Sequence, residues 1–308
     1  MITIMTPTYN RAYILKDAYD SLRTQSSFDF EWIIVDDGST DETEEIVRAW
    51  MEEKKNFSIV YKKQNNGGKH RAVNRGVLLA KYDYFLILDS DDSLANDAVE
   101  TIHEWIAGIA GLKGFAGIAG LRGKADIAIE GTPQEQYIDA TNLERKKYGL
   151  LGDIAEIYKT EILKKYPFPE FEGENFIRES AVWDRIAKDG MKIRFYSKII
   201  YLCEYIEDGL TKNTNENTYA RNFKGFAYCS KLFLETHTLF PSLNKCGEFR
   251  RVAKLKGLGL AESAKMLNVN ILYFLIGIGY FKLRRFAKSI LRKKDVKAKG
   301  YDKNKKKT

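Results

Sequence analysis

Short apolar runs alternate with helical patterns through the first hundred residues, and a polar cluster closes each of three of those runs. The apolar runs are residues 2–5, 32–35, 57–61 and 84–88; helical patterns extend to about residue 24 and over 40–54 and 69–80. Strands that are apolar throughout, rather than alternating, belong to a parallel sheet covered on both faces. In such sheets a ligand lies beyond the carboxyl ends of the strands. TPTYN, DDGSTD and DSDD each follow a strand at that edge, so three polar clusters converge there. Ser39 with Glu42 three residues on reads as a capping box opening the second helix.

After residue 96 the pattern is looser. GIAGLKG (108–114) and GIAGLRG (117–123) are near copies, read here as a local duplication in a loop-rich insert without functional meaning. Residues 124–210 are mixed, with a helical stretch over 178–188 and a strand over 199–203. From residue 217 the pattern is helical to about 291, and a Lys-rich tail (292–308) is expected to be disordered. The organisation expected is an α/β domain over 1–212, in halves 1–96 and 97–212, then a helical region 213–291 and the basic tail.

The formal charge of +8 is unevenly placed: residues 282–308 carry 13 Lys/Arg against 2 Asp/Glu, a net of +11, which leaves −3 for the body. A mildly acidic body with a polycationic end disfavours a nucleic-acid-binding domain. Cys203, Cys229 and Cys246 have neither CxxC nor Cys/His ligand spacing, which argues against a disulfide framework and a zinc site. MITIMTPTYN lacks the basic and long apolar regions of a secretory signal. The longest apolar run, ILYFLIGIGYF (271–281), would reach about 16 Å as a helix, against roughly 30 Å of hydrocarbon.

Asp89 and Asp91 in DSDD can share a hard divalent cation with a diphosphate, which binds few carboxylates plus phosphate oxygens; an Asp-rich turn with Asp92 or Ser93 capping the next helix is the plainer alternative. Asp37 can accept from a base N–H or ribose hydroxyl, with Pro7, Thr8, Tyr9 and Asn10 on the other side of the base. NNGGKHR (65–71) enters a helix through two glycines, a setting suited to phosphate oxygens, with Lys69 and Arg71 at hand. It lacks Walker A spacing, and His70 reads as structural. In EFEGENFIRESAVWDRIAK (170–188), Glu172, Glu174, Glu179 and Asp184 are acidic candidates for a general base.

As a set, TPTYNR, DDGSTD, NGGKHRAVNRG and LDSDD resemble the family 2 glycosyltransferases, and EFEGENFIRESAVWDRIAK with YLCEYIEDGLT looks like the acceptor half of bacterial polysaccharide-building members. The resemblance extends to about residue 212. It implies a GT-A fold, a Rossmann-like mostly parallel sheet with helices on both faces, followed here by a C-terminal helical extension. It implies that Pro7, Thr8, Tyr9 and Asp37 hold the nucleoside, most often uridine. Lys69 would approach the diphosphate or nucleoside, Asp89 would face the donor ribose and sugar, and Asp91 would bind Mn²⁺ or Mg²⁺, with Asp92 a second ligand. Many members have Glu-Asp before the acceptor helix where this chain has Glu179-Ser180, so Glu179 is the expected base, with Glu174 and Asp184 in reserve.

The activity implied is inverting transfer of a hexosyl or N-acetylhexosaminyl group from a nucleotide-sugar to a glycan or lipid-linked hydroxyl, in surface polysaccharide synthesis. The expected setting is cytoplasmic, peripheral on the inner face of the membrane. Residues 271–281 followed by KLRRFAKSILRKK read either as a core helix with a basic end or as an interfacial helix drawn to anionic lipid. A sugar-phosphate nucleotidyltransferase and a non-catalytic membrane-bound scaffold are the rival readings.

Overall fold

The computed structural model describes residues 1–123, 137–150, 154–203 and 214–305. The chain divides into two compact units, Met1–Thr214 and Asn215–Thr308, against an expected boundary at 212/213.

In the first unit, β1 (Ile2–Thr8), β2 (Phe30–Asp36), β3 (Ser58–Lys63) and β4 (Tyr84–Ile87) are parallel, in the order β3-β2-β1-β4. Between them run α1 (Leu15–Arg23), α2 (Thr43–Glu52) and α3 (Lys69–Leu79). Every position of β1 and β2 is buried, as continuous apolar strands require. On one side of the sheet Tyr19 stacks on Trp50 at 4.2 Å, and Trp32 packs beside both. The order reverses at β1: the chain leaves it for β2 and β3 on one side and returns to β4 on the other. A crevice at the carboxyl ends results from that switch.

Beyond β4 the sheet continues through β8 (Ile154–Lys159), β6 (Phe115–Gly123), β9 (Lys192–Cys203) and the short β5 (Asp92–Leu94), with β7 (Tyr137–Ala140) also on β9. Strand β8 is antiparallel to both β4 and β6, so β6 runs the same way as β4, and β9 is parallel to β6. The carboxyl ends of β4, β6 and β9 therefore share one edge. Helices α4 (Ala98–Gly108), α5 (Thr160–Lys165) and α6 (Ser180–Lys188) complete the unit.

Three expectations change here. GIAGLRG is no loop: it lies in β6, an interior strand, where a Cβ at Gly117 would meet the Ile157 carbonyl oxygen at 2.1 Å and one at Gly120 the Trp105 ring at 2.9 Å. The glycines are there because neighbours press on the strand, and that is why composition reads as loop. Ser39 is not a helix cap: its Oγ accepts from Asn10 N (2.9 Å), and Asp41 Oδ1 instead accepts from Thr43 N and Oγ1 at the start of α2. Nor do Asp92 and Ser93 cap a helix; they open β5, which pairs with β9. Residues 204–211 of YLCEYIEDGLT lie outside the described residues.

The second unit is helical: α7 (Glu216–Arg221), α8 (Phe223–Thr236), α9 (Leu239–Leu255), α10 (Leu260–Met266) and α11 (Ile271–Lys305). Its core joins Phe223, Cys246, Phe249, Val252 and Phe274. Helices α9 and α11 approach closely at two glycines, Gly247 against Phe281 and Gly277 against Cys246. Helix α11 carries on through Lys305 where the sequence reads as disordered; Lys, Arg and Ala are good helix formers, and no proline interrupts them. The run 271–281 has two faces. Phe274 is fully buried, whereas Leu272, Leu275, Ile276, Leu283 and Phe286 are 43–70% exposed. No single helix among the described residues is long and apolar enough to cross a membrane; α10 with residues 271–289, bent by 101°, passes that test only as a pair.

Candidate active site

The first two motif loops are pinned to each other. Asn10, in the left-handed region at φ 52°, donates its N–H to Ser39 Oγ, and its Oδ1 accepts from Thr40 N (2.8 Å). Ala12 N donates to Asp41 Oδ2 at 3.0 Å. Tyr9 is left half exposed at the sheet edge, Pro7 is buried, and the buried Thr8 Oγ1 has no hydrogen-bond partner.

Asp36 is wholly internal, accepting from Tyr61 Oη and Ser39 N. Asp37 is taken up as well. Its carboxylate accepts from Gln64 Nε2 (2.8 Å), Gly67 N (3.0 and 3.1 Å) and Gly68 N (2.6 Å). A carboxylate has about four lone-pair sites, and three donors share them here, the Gly67 N–H spanning both oxygens. Asp37 thereby holds the glycine turn in shape. A cleft of about 480 Å³ opens beside this turn, lined by Ser39, Lys63 and Asn66 among others, and not over the carboxylates of DSDD.

Gly68, at φ 95°, sits where a Cβ would meet the Asn175 carbonyl oxygen at 1.8 Å. The acceptor-half segment is laid directly across it. Arg71 holds that segment, donating to the carbonyls of Phe171 (2.8 Å), Glu174 (2.9 Å) and Gly67 (2.9 Å), and Asn74 exchanges hydrogen bonds with Phe168. Arg71 is therefore a clamp between chain segments rather than the phosphate ligand its spacing predicts. His70 is buried on α3 and pushed down to about 4, first by burial and then by Arg71, so it is neutral at pH 7.

Lys69 is the centre of the charged cluster. Its Nζ lies 2.6 Å from Asp89 Oδ1 and 2.9 Å from Glu179 Oε1. Burial works against its charge, but Asp89 and Glu179 outweigh burial and hold the ammonium above its ordinary range. The same attraction, with Arg122, keeps Asp89 below the usual carboxylate range despite burial. Glu179, in the turn before α6, is thereby brought onto the same ammonium as Asp89. Glu174 is buried, and Asp184 belongs to the electrostatic surroundings of Tyr158.

Three further residues enter that the sequence reading missed. Arg122 Nη1 is 3.7 Å from Asp89 Oδ2 and 3.8 Å from Asp92 Oδ2, with its guanidinium 4.0 Å above the Tyr201 ring. The Tyr201 hydroxyl accepts from Asp89 N (2.8 Å) and donates to Asp92 Oδ2 (2.9 Å). Glu156, on β8, is pushed up to about 7 by burial and by Glu179. The only sequence signal was the charge in the second GIAGLxG copy.

Burial, followed by the charge of Asp89, raises the pKa of Asp91, while its own backbone N–H, Arg11 and Lys69 pull the other way. Asp92, bound to Tyr201, is pushed up to about 7 by burial and Asp89. No cluster of three or more His, Cys, Asp or Glu suited to a metal occurs among the described residues. A carboxylate such as Asp91 at this edge fits a Mg²⁺ or Mn²⁺ ion that takes its other ligands from substrate phosphates and water.

Residues 3–109 match the profile of Glycosyl transferase family 2. The abequosyltransferase RfbV of Salmonella typhimurium is 37% identical over 230 residues, 69% of each chain. A GalNAc(5)-diNAcBac-PP-undecaprenol β-1,3-glucosyltransferase of Campylobacter jejuni is 25% identical over 75% of this chain and 73% of its own. Against the Streptococcus pneumoniae glycosyltransferase GlyG (33% identical over 34% of this chain), the match spans about a third of that protein, 35%. Among solved structures, S. aureus TarS 1-349 in complex with UDP-GlcNAc superimposes with a TM-score of 0.57 at 18% identity, over 91% of this chain and 89% of that one. Motif order, the family profile and a 37% identical relative matched over 69% of each chain agree: this chain belongs to family 2 of the glycosyltransferases.

Proposed function

We propose that the chain transfers a hexosyl or N-acetylhexosaminyl group from a UDP-sugar to a hydroxyl of a glycan or lipid-linked saccharide, with inversion, during surface polysaccharide synthesis. The observation that carries this reading is the Lys69 bridge, which puts the Glu179 and Asp89 carboxylates on one ammonium. UDP-GlcNAc bound to TarS and the undecaprenol-linked acceptor in the Campylobacter relative's name support the donor and acceptor classes.

In this reading Pro7, Thr8 and Tyr9 hold the nucleoside, beside the turn that Asp37 orders. Asp89 faces the ribose and sugar. Glu179 takes the proton of the acceptor hydroxyl as that oxygen bonds to the anomeric carbon and the bond to the diphosphate breaks; UDP leaves with the electron pair. Lys69, held charged, offsets the negative charge that builds on the diphosphate side. Asp91 is the residue that would hold Mn²⁺ or Mg²⁺, which supplies Lewis-acid stabilisation of the leaving group. The exposed face of α11, next to Arg284, Arg285 and Lys288, supports peripheral contact with the inner face of the cell membrane.

The test is a screen of UDP- and GDP-sugars with Mn²⁺ for slow donor hydrolysis. Turnover of a UDP-sugar is expected, abolished by excess EDTA and in Asp91→Ala. Full activity in either condition would remove the metal from the reading; no turnover of any sugar nucleotide would remove the donor.

A further inference from the structure

Among the described residues Arg122 is held by long ion pairs rather than by short hydrogen bonds. A guanidinium offers five N–H donors in a rigid fork. Here the two nearest carboxylates stand at 3.7 and 3.8 Å, ion-pair rather than hydrogen-bond distances, and the Nε–H is enclosed with no partner. The group is not loose. It lies flat on Tyr201, whose hydroxyl is itself fixed between Asp89 N and Asp92 Oδ2. Charge on Arg122 is secure: burial opposes it, but Tyr201, Asp89, Glu179 and Glu156 favour it more. A rigid, charged, donor-rich plane with unused donors is prepared for an oxygen-rich ligand.

Its place in the sheet says which part of the ligand. The order β2-β1-β4-β8-β6 runs across the crevice at about 4.8 Å per strand. In the proposed reading the nucleoside lies over β1 and β2 and the diphosphate at the end of β4. Arg122 emerges from β6 at the same edge, two strands from β4, and its guanidinium reaches back to 3.7 Å from Asp89 Oδ2, the carboxylate that faces the ribose and sugar in the proposed reading. The sugar end of a nucleoside–diphosphate–sugar, which Asp89 faces in that reading, is therefore the part within reach of Arg122. The register with β9 also shifts between Leu121 and Arg122, the kind of irregularity that re-aims a side chain beside a site.

We propose that Arg122 is a specificity-determining residue that hydrogen-bonds ring oxygens or substituent oxygens of the transferred sugar, with Tyr201 as its positioning residue. The assignment rests on the donor reading above. Its test uses the full chain as wild type, Arg122→Lys and Arg122→Gln. The probes are UDP alone and whichever UDP-sugar (glucose, galactose or N-acetylglucosamine) the wild type hydrolyses fastest. Both variants are expected to lose about 10-fold or more in kcat/KM for the UDP-sugar, with the Kd for UDP within about 3-fold. The ranking of the three UDP-sugars is expected to flatten. Lys keeps the charge but not the fork, so full recovery in Arg122→Lys would reduce Arg122 to a neutraliser of Asp89 and Asp92 and overturn the proposal. Equal losses for UDP and UDP-sugar would also overturn it, by moving the contact to the diphosphate. A wild type that binds no UDP would overturn the donor reading, and this assignment with it.

Discussion

Carboxylates of this site are distinguished by what already occupies them. Asp36 and Asp37 accept from hydroxyl and amide donors, Asp92 from Tyr201, and Asp89 and Glu179 share Lys69; in the proposed reading Glu179 is the base and Asp91 the metal ligand. Glu179 is 39% exposed, with Lys69 on one oxygen. Glu179→Gln keeps size and a hydrogen-bonding oxygen but cannot take a proton, so it is expected to lower turnover about 10²- to 10⁴-fold while UDP binds as before. Isothermal titration with UDP beside a donor-turnover assay checks both halves; wild-type turnover would pass the base to Glu174 or Asp184. Sequence motifs located these acids but could not rank them. Rank depends on partners distant along the chain: the Asp37 partners lie 27 to 31 residues away and Tyr201 lies 109 from Asp92.

Among the elements, β1, β2 and β4 were legible because buried parallel strands must be apolar along their whole length. Strand β6 was not, because its neighbours require glycine, and glycine in a sequence reads as a break. Arg122 was hidden with it. The turn into α3 shows the same close approach from the other side, since Gly68 has both a positive φ and the Asn175 carbonyl against it. Gly68→Ala must move that carbonyl and adopt a left-handed backbone, a combination expected to cost about 2–4 kcal/mol. A urea midpoint falling with unchanged slope would register it; an unaltered midpoint would mean that the segment 171–175 yields freely. Activity should fall too, because Arg71 and Asn74 place the segment leading to Glu179 from the same turn.

At the scale of the molecule, charge is unevenly placed: −3 over residues 1–281 and +11 over residues 282–308, inside the second unit. The C-terminal unit adds an exposed apolar stripe, Leu272, Ile276, Leu283 and Phe286, on the side of α11 away from Phe274. The full chain is expected to sediment with vesicles containing phosphatidylglycerol, less with pure phosphatidylcholine, and less again as salt is raised. Leu283→Glu with Phe286→Glu alters only exposed positions, so the fold should stand while binding drops. Undiminished binding by that double variant would leave the basic residues as the sole attraction.

The shifted register of β6 on β9 has a consequence for how such enzymes diversify. Between the Leu121–Ile199 and Arg122–Tyr201 pairs β9 carries one residue more than β6, and that extra residue, Ile200, is what sets Tyr201 opposite Arg122. A one-residue insertion or deletion in a structural strand could thus retune the sugar selected without altering any of the motifs by which the family is recognised.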